Sequence, residues 1–100
     1  MSRILALAFL LSCVPAAAFA QDANLGRNLA ATCSNCHGTN GHSVGGMPAL
    51  AGRSRGELAQ MLREFRDGKR PATIMHQLAK GYTDPQIDAI AGYLSSQKPN

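Results

Sequence analysis

Cysteine is scarce in this sequence. Three occur in 100 residues, at positions 13, 33 and 36. That is too few for a disulfide framework, and a bridge between Cys33 and Cys36 would close too short a loop to stabilise much. There is no second cysteine pair, so a structural zinc site would have to draw on Cys33, Cys36, His37, His42 and His76, which lack the paired spacing such sites use. Strand patterning is also missing: no stretch alternates polar and apolar residues. This argues against a thioredoxin-like dithiol, whose Cys-x-x-Cys opens a helix after a strand in a chain of alternating strands and helices. After residue 21 no apolar run approaches the roughly 20 residues of a membrane span. A basic cluster is absent too. The formal charge is +4, but Arg27, Arg53, Arg55, Arg63, Arg66, Lys69, Arg70, Lys80 and Lys98 are spread along the chain, and nucleic acid is not implied. With no repeat, linker or low-complexity tract after residue 21, the chain holds at most one domain.

The N-terminus has a different character. Met1-Ser2-Arg3 is a short basic start, Ile4 to Val14 is apolar, and Ala18-Phe19-Ala20 is a small-x-small cleavage site. Residues 1–20 therefore read as a secretory signal peptide cut after Ala20, leaving residues 21–100 as an exported, periplasmic domain. The apolar run is shorter than a membrane anchor needs. A lipoprotein signal at Cys13 fits poorly, because Leu11 stands two residues before it. A mature chain of this length seldom buries enough apolar surface to fold without a staple. Since Cys13 leaves with the signal, a cofactor is the staple that remains.

The mature chain predicts an all-α fold of three helices or more. The first runs from about Asn24 to Cys33, with Leu25 and Leu29 on one face and Asn24 as a cap. The second opens at Ser54 with Glu57 three residues on, a capping-box pattern; it carries Leu58, Met61, Leu62 and Phe65 at helical spacing and ends at Gly68. The third starts at Thr83-Asp84-Pro85-Gln86 and shows Ile87, Ile90, Ala91 and Leu94 as its apolar stripe. Residues 38–53 and 69–82 read as long loops, and loops of that length are ordered when they wrap something.

The chemistry is concentrated in Cys33-Ser34-Asn35-Cys36-His37. Two thiols separated by two residues reach the two vinyl groups of one porphyrin from a single turn of backbone. A His directly after the second Cys is then placed under the iron as an axial ligand. Neither a plain disulfide nor a dithiol enzyme gives His37 a role. The motif predicts one covalently bound haem c.

The Cys-x-x-Cys-His after an N-terminal helix, the Gly-Pro-x-Leu-like stretch at 45–50 and a later Met before a C-terminal helix together resemble the class I c-type cytochromes. Within that class, Cys-His-Gly-Thr-Asn-Gly-His-Ser-Val-Gly at 36–45 and Ile-Met-His-Gln-Leu-Ala-Lys-Gly-Tyr-Thr-Asp at 74–84 are most similar to the cytochrome subunits of flavocytochrome c sulfide dehydrogenase. Cytochromes c4 and c553 are close in pattern. The resemblance implies a small fold wrapped around one haem, electron transfer rather than catalysis at this site, and a flavoprotein subunit or other redox protein as partner. It assigns the sixth iron ligand to Met75. Of the other methionines, Met1 is removed, Met47 lies on the His37 side and Met61 sits in an apolar stripe; His76 would be the bis-His alternative. The family pattern also makes the Pro48 carbonyl the acceptor for the His37 ring, although Met47 interrupts a strict Gly-Pro-x-Leu. Leu50, Leu58, Leu62, Phe65, Ile74 and Leu94 would form the apolar shell. Tyr82 is read as a propionate partner or an ordinary half-buried tyrosine, His42 as a solvated loop residue, and Gly26 and Tyr93 as the point where the terminal helices cross.

Overall fold

The computed structural model describes residues 24–99; the expected signal peptide at 1–20 lies outside the described residues. The described residues contain no strand. They form α1 (Leu25–Ala30), α2 (Ser34–His37), α3 (Arg55–Arg66), α4 (Met75–Ala79) and α5 (Asp84–Ser95), with tight 3-10 turns at Ala31–Cys33 and Thr39–Gly41. The fold is all-α.

The organising element is α5, and its start is fixed by local chemistry. The Thr83 hydroxyl accepts from the Gln86 N–H at 3.3 Å while the Gln86 side-chain oxygen accepts from the Thr83 N–H at 2.9 Å. Pro85 fits in the first turn, where its missing N–H would have had no partner. Such a cap contributes about 1 kcal/mol. The stripe Ile87, Ile90, Ala91 and Leu94 is buried along its whole length, each Ile stabilising by about 1.5–3 kcal/mol. One side of α5 packs on α1 and another on α3. The core cluster joins this stripe to Ala30, Leu58 and Ala59. Three of those seven core residues are alanine; they let helix axes approach closely but supply little apolar volume, in keeping with a fold that needs a cofactor to complete it.

At the start of α3 the Ser54 hydroxyl accepts from the Glu57 N–H. The reciprocal half of the predicted capping box is not made, because the Glu57 carboxylate is drawn to the Arg53 guanidinium, a charge-assisted bond that outcompetes a neutral N–H. The end of α3 is closed as predicted. Gly68 takes φ +73, its N–H reaches the Phe65 carbonyl, and the Lys69 N–H reaches that of Glu64, the paired closing bonds that a left-handed glycine permits.

Two segments differ from expectation. The first predicted helix is not uniform: α1 tightens into the 3-10 turn at Ala31–Cys33 before α2 resumes. Asn24 occupies the cap position without a side-chain cap bond, and the Thr32 hydroxyl donates back to the Leu29 carbonyl, a local bond that competes with the regular ladder. The predicted loop 69–82 contains α4. This short helix has no side-chain cap and is held by packing against α3, with Ala79 fully buried.

Candidate functional site

The path from Ala31 to His37 carries the thiols and the imidazole on successive tight turns, and Gly38 ends it at φ +82. Cys33 is half-buried, Cys36 exposed, and both thiols are free. Burial pushes the Cys33 thiol up from its ordinary value. His37 is the one buried polar side chain among the described residues, 8% exposed. Its Nδ1 lies 2.8 Å from the Pro48 carbonyl oxygen. A carbonyl only accepts, so Nδ1 carries the hydrogen and Nε2 keeps its lone pair for a metal.

The loop after His37 is built to return Pro48 to that ring. A side chain at Gly38 would collide with the His42 carbonyl. Gly41, at φ +77, accepts on its carbonyl the N–H groups of Leu50 and Ala51 at 2.9 and 3.2 Å. Those bonds close the base of the loop, and the Ser43 hydroxyl donates to the Met47 carbonyl at 2.5 Å inside it. The C-terminal end holds the loop from outside: the Gly52 N–H donates to the Leu94 carbonyl at 2.9 Å. His42, expected to be solvated, donates from Nε2 to the Lys98 carbonyl.

Met75 is the first residue of α4 and half-buried. Met61 packs against the core cluster and Met47 is 43% exposed. Of the expected apolar shell, Leu58 and Leu94 lie in the core, Leu50 and Leu62 pack on it, and Ile74 stands 52% exposed. Phe65 lies under the Arg70 guanidinium, 5.7 Å from ring centre to Cζ. The Tyr82 hydroxyl, considered for a propionate, lies instead 3.0 Å from that of Thr32. This contact brings the residue before Cys33 against the end of the Met75 segment, and nothing in the local sequence signals it.

These residues fit a haem. The donor set is two thiols, an imidazole with Nε2 available and a thioether. The large exposed apolar side chains among the described residues, Val44, Met47, Ile74 and Leu78, all belong to the loop after His37 or to the Met75 segment. Uncovered apolar side chains restricted to two such segments mark a surface that an apolar group covers. His76 Nδ1 is shielded from solvent with no hydrogen-bond partner, so a polar group is wanted beside Met75 as well. Zinc gains no support: no cluster of three or more His, Cys, Asp or Glu able to hold a metal ion occurs among the described residues.

Charge divides the molecule. All five described carboxylates, Glu57, Glu64, Asp67, Asp84 and Asp88, are paired with Arg53, Arg63, Arg66 or Arg70. Segments 24–52 and 70–83, which bear the candidate ligands, contain no carboxylate at all. Asp84 is held below the usual carboxylate range by hydrogen bonds from Arg66 and Arg63, and Glu64 by those from Gln60 and Arg70.

Comparison with known proteins identifies the family. The cytochrome c family model matches residues 23–98. The cytochrome subunit of sulfide dehydrogenase from Chlorobaculum tepidum is 38% identical over 71 residues, covering 71% of this chain and 64% of that protein. Cytochrome c-552 of Acidithiobacillus ferridurans is 44% identical over 64 residues, covering 64% of this chain and 28% of its own length. The chain thus spans less than two thirds of either. Cytochrome c-554(548) of Halomonas halodenitrificans is 39% identical over 83 residues, covering 79% of this chain and all of that protein. Among solved structures, a cytochrome c4 of Acidithiobacillus ferrooxidans superposes with a TM-score of 0.61 at 44% identity, over 64% of this chain and 37% of the other. No described helix is long and apolar enough to cross a membrane.

Proposed function

The chain belongs to the cytochrome c family, and from that premise we propose that it is the haem subunit through which a sulfide-oxidising flavoprotein discharges its electrons. It is an electron carrier with covalently attached haem c, as its family and its cytochrome c4 relatives are. The observation that carries the finer reading is the 38% identity with the cytochrome subunit of sulfide dehydrogenase. In this reading Cys33 and Cys36 would hold the haem through thioether bonds, and His37 Nε2 and the Met75 sulfur would be the side-chain ligands to its iron. When bound, the haem supplies a reversible one-electron couple, whose potential a thioether ligand raises.

The protein's own residues act around that group. The Pro48 carbonyl accepts from His37 Nδ1, which fixes the ring and strengthens its outer nitrogen as a donor. Leu50 supports the same loop against the core. With His37 and Met75 both committed to the iron, the group would offer no open position to substrate, and sulfide chemistry would belong to the partner flavoprotein. On the reading of residues 1–20 as a secretory signal, the encounter would take place in the periplasm.

The test is affinity capture of the haem-loaded chain from a native periplasm, with optical spectra for flavin. A stoichiometric flavin-containing partner that reduces the chain on addition of sulfide is the expected result. A second reading, a freestanding carrier, is favoured by the match over the full length of the Halomonas cytochrome; it predicts no stable flavoprotein complex and rapid oxidation by a terminal oxidase. For the ligand set, Met75→Ala should abolish the near-infrared sulfur-to-iron band of the ferric protein. Persistence of the band would move the ligand to Met61 or Met47.

A further inference from the structure

Thr32 and Tyr82 are far apart in the chain, yet their hydroxyl oxygens are 3.0 Å from one another. Thr32 has one hydroxyl hydrogen and donates it to the Leu29 carbonyl at 3.1 Å, so the Tyr82 phenol is the donor within the pair. Each partner stands on a fixed base. Thr32 lies in the 3-10 turn immediately before Cys33. Tyr82 is fastened to the end of α4: its N–H reaches the Ala79 carbonyl and that of Gly81 reaches Leu78, both at 3.2 Å. Its ring packs on the core, and the next residue, Thr83, caps α5.

No other hydrogen bond among the described residues joins 31–37 to 70–82. The Met75 segment is otherwise held by the packing of α4 on α3 about the buried Ala79. The helix α4 is five residues long without a side-chain cap, and Ile74 and Leu78 on its flank are each about half exposed, at 52% and 51%. We propose that the Thr32–Tyr82 pair is a clasp that holds the Met75 segment closed over the haem and so sets how readily the Met75 sulfur leaves the iron. This rests on Met75 as the axial ligand. Thr32 and Tyr82 are positioning residues: they act through Met75.

The experiment titrates the ferric, haem-loaded protein with imidazole, which competes with Met75, and follows loss of the sulfur-to-iron band in Tyr82→Phe, Thr32→Val and the double variant. Loss of one net hydrogen bond predicts about three- to tenfold tighter imidazole binding in each single variant. The saturating rate of imidazole entry, which is the rate of Met75 departure, should rise with it. The double variant should gain no more than Thr32→Val alone, because the Tyr82 bond is already lost there; Tyr82→Phe, which leaves the Thr32–Leu29 bond intact, isolates the clasp itself. Thr32→Ser, which keeps the hydroxyl, should restore the parent value. Lower unfolding stability with unchanged imidazole affinity and entry rate would make the pair an ordinary structural contact and overturn the clasp. An equal gain in imidazole affinity on a Met75→Ala background would overturn it as well, because the effect would not pass through Met75. If the parent band survives Met75→Ala, the axial assignment falls and the clasp with it; an assignment that holds while imidazole binding stays unmoved removes the clasp alone.

Discussion

Gly26 of α1 sits directly against Tyr93 of α5: a Cβ at Gly26 would stand 3.0 Å from the Tyr93 Cβ and 2.5 Å from the Ala89 carbonyl oxygen. The same tyrosine donates its hydroxyl to Asn40 Oδ1 at 2.5 Å, and so ties the terminal-helix crossing to the turn that follows His37. The sequence reading that these two helices meet at Gly26 and Tyr93 is what the structure shows.

Gly26→Ala should therefore destabilise the haem-loaded protein. The added methyl group meets backbone, which cannot swing aside, and overpacking of this kind costs about 1–3 kcal/mol. The better helix propensity of alanine returns roughly 1 kcal/mol. With the Cβ only 2.5 Å from a backbone oxygen, the overpacking cost falls at the upper end of its range, and a net loss of about 2 kcal/mol is expected in guanidinium unfolding followed by circular dichroism. A variant as stable as the parent would mean that α1 and α5 cross with more room than the structure gives them.

What could be read in the sequence was local. Thr83 and Gln86 answer each other within one turn, and Ile87, Ile90, Ala91 and Leu94 announce a buried stripe by spacing alone. Cys33, Cys36 and His37 need no fold to be recognised. By contrast, α4 is too short to show periodicity and has no cap residue, so packing on α3 creates it. The Thr32–Tyr82 and His42–Lys98 bonds join residues 50 and 56 positions apart, and nothing in either neighbourhood signals the other. Glu57 departs from its pattern for a related reason: the spacing fits a capping box, but the nearby Arg53 competes for the carboxylate.

The two cysteines stand in different surroundings, so their serine variants should differ. Cys33 packs on the core edge, while Cys36 is exposed. In either variant one thioether remains, and the reduced pyridine spectrum should move to longer wavelength as one vinyl group is restored. Cys33→Ser should also lower unfolding stability by about 1 kcal/mol more than Cys36→Ser, because it places a hydroxyl in an apolar contact. Equal stability of the two variants would show that Cys33 contributes nothing to packing.

Acid should weaken the fold through its paired carboxylates. The folded protein holds Asp84 below its usual range through Arg66 and Arg63. Such a group contributes stability that is fully present above its unfolded pKa and is lost as pH falls through the lower folded value. The window thus opens below about pH 4. Asp84→Asn should make urea midpoints fall less steeply there than in the parent, at the cost of a slightly lower midpoint at pH 7. Because the pairs are exposed the effect is small and should shrink in salt. Parallel acid profiles for parent and variant would remove Asp84 from the account.

The division of charge makes a prediction about electron exchange with small reagents. The segments bearing the candidate ligands, 24–52 and 70–83, contain no carboxylate and carry Arg27 and Lys80 besides Arg70, which is paired with Glu64, while every described acid is neutralised by an arginine on or beside α3. An anionic oxidant such as ferricyanide is then attracted to the exchange face and a cationic cobalt complex repelled. Raising ionic strength shortens the range of that field to about 3 Å at 1 M. Oxidation of the reduced protein by ferricyanide should slow several-fold between low and high salt, and oxidation by the cobalt complex should quicken. Stopped-flow rates read both directly, and Lys80→Gln should reduce the two slopes together. The same slope for both reagents would mean that the exchange face carries no net positive field, and a partner with an acidic docking surface would lose its physical basis.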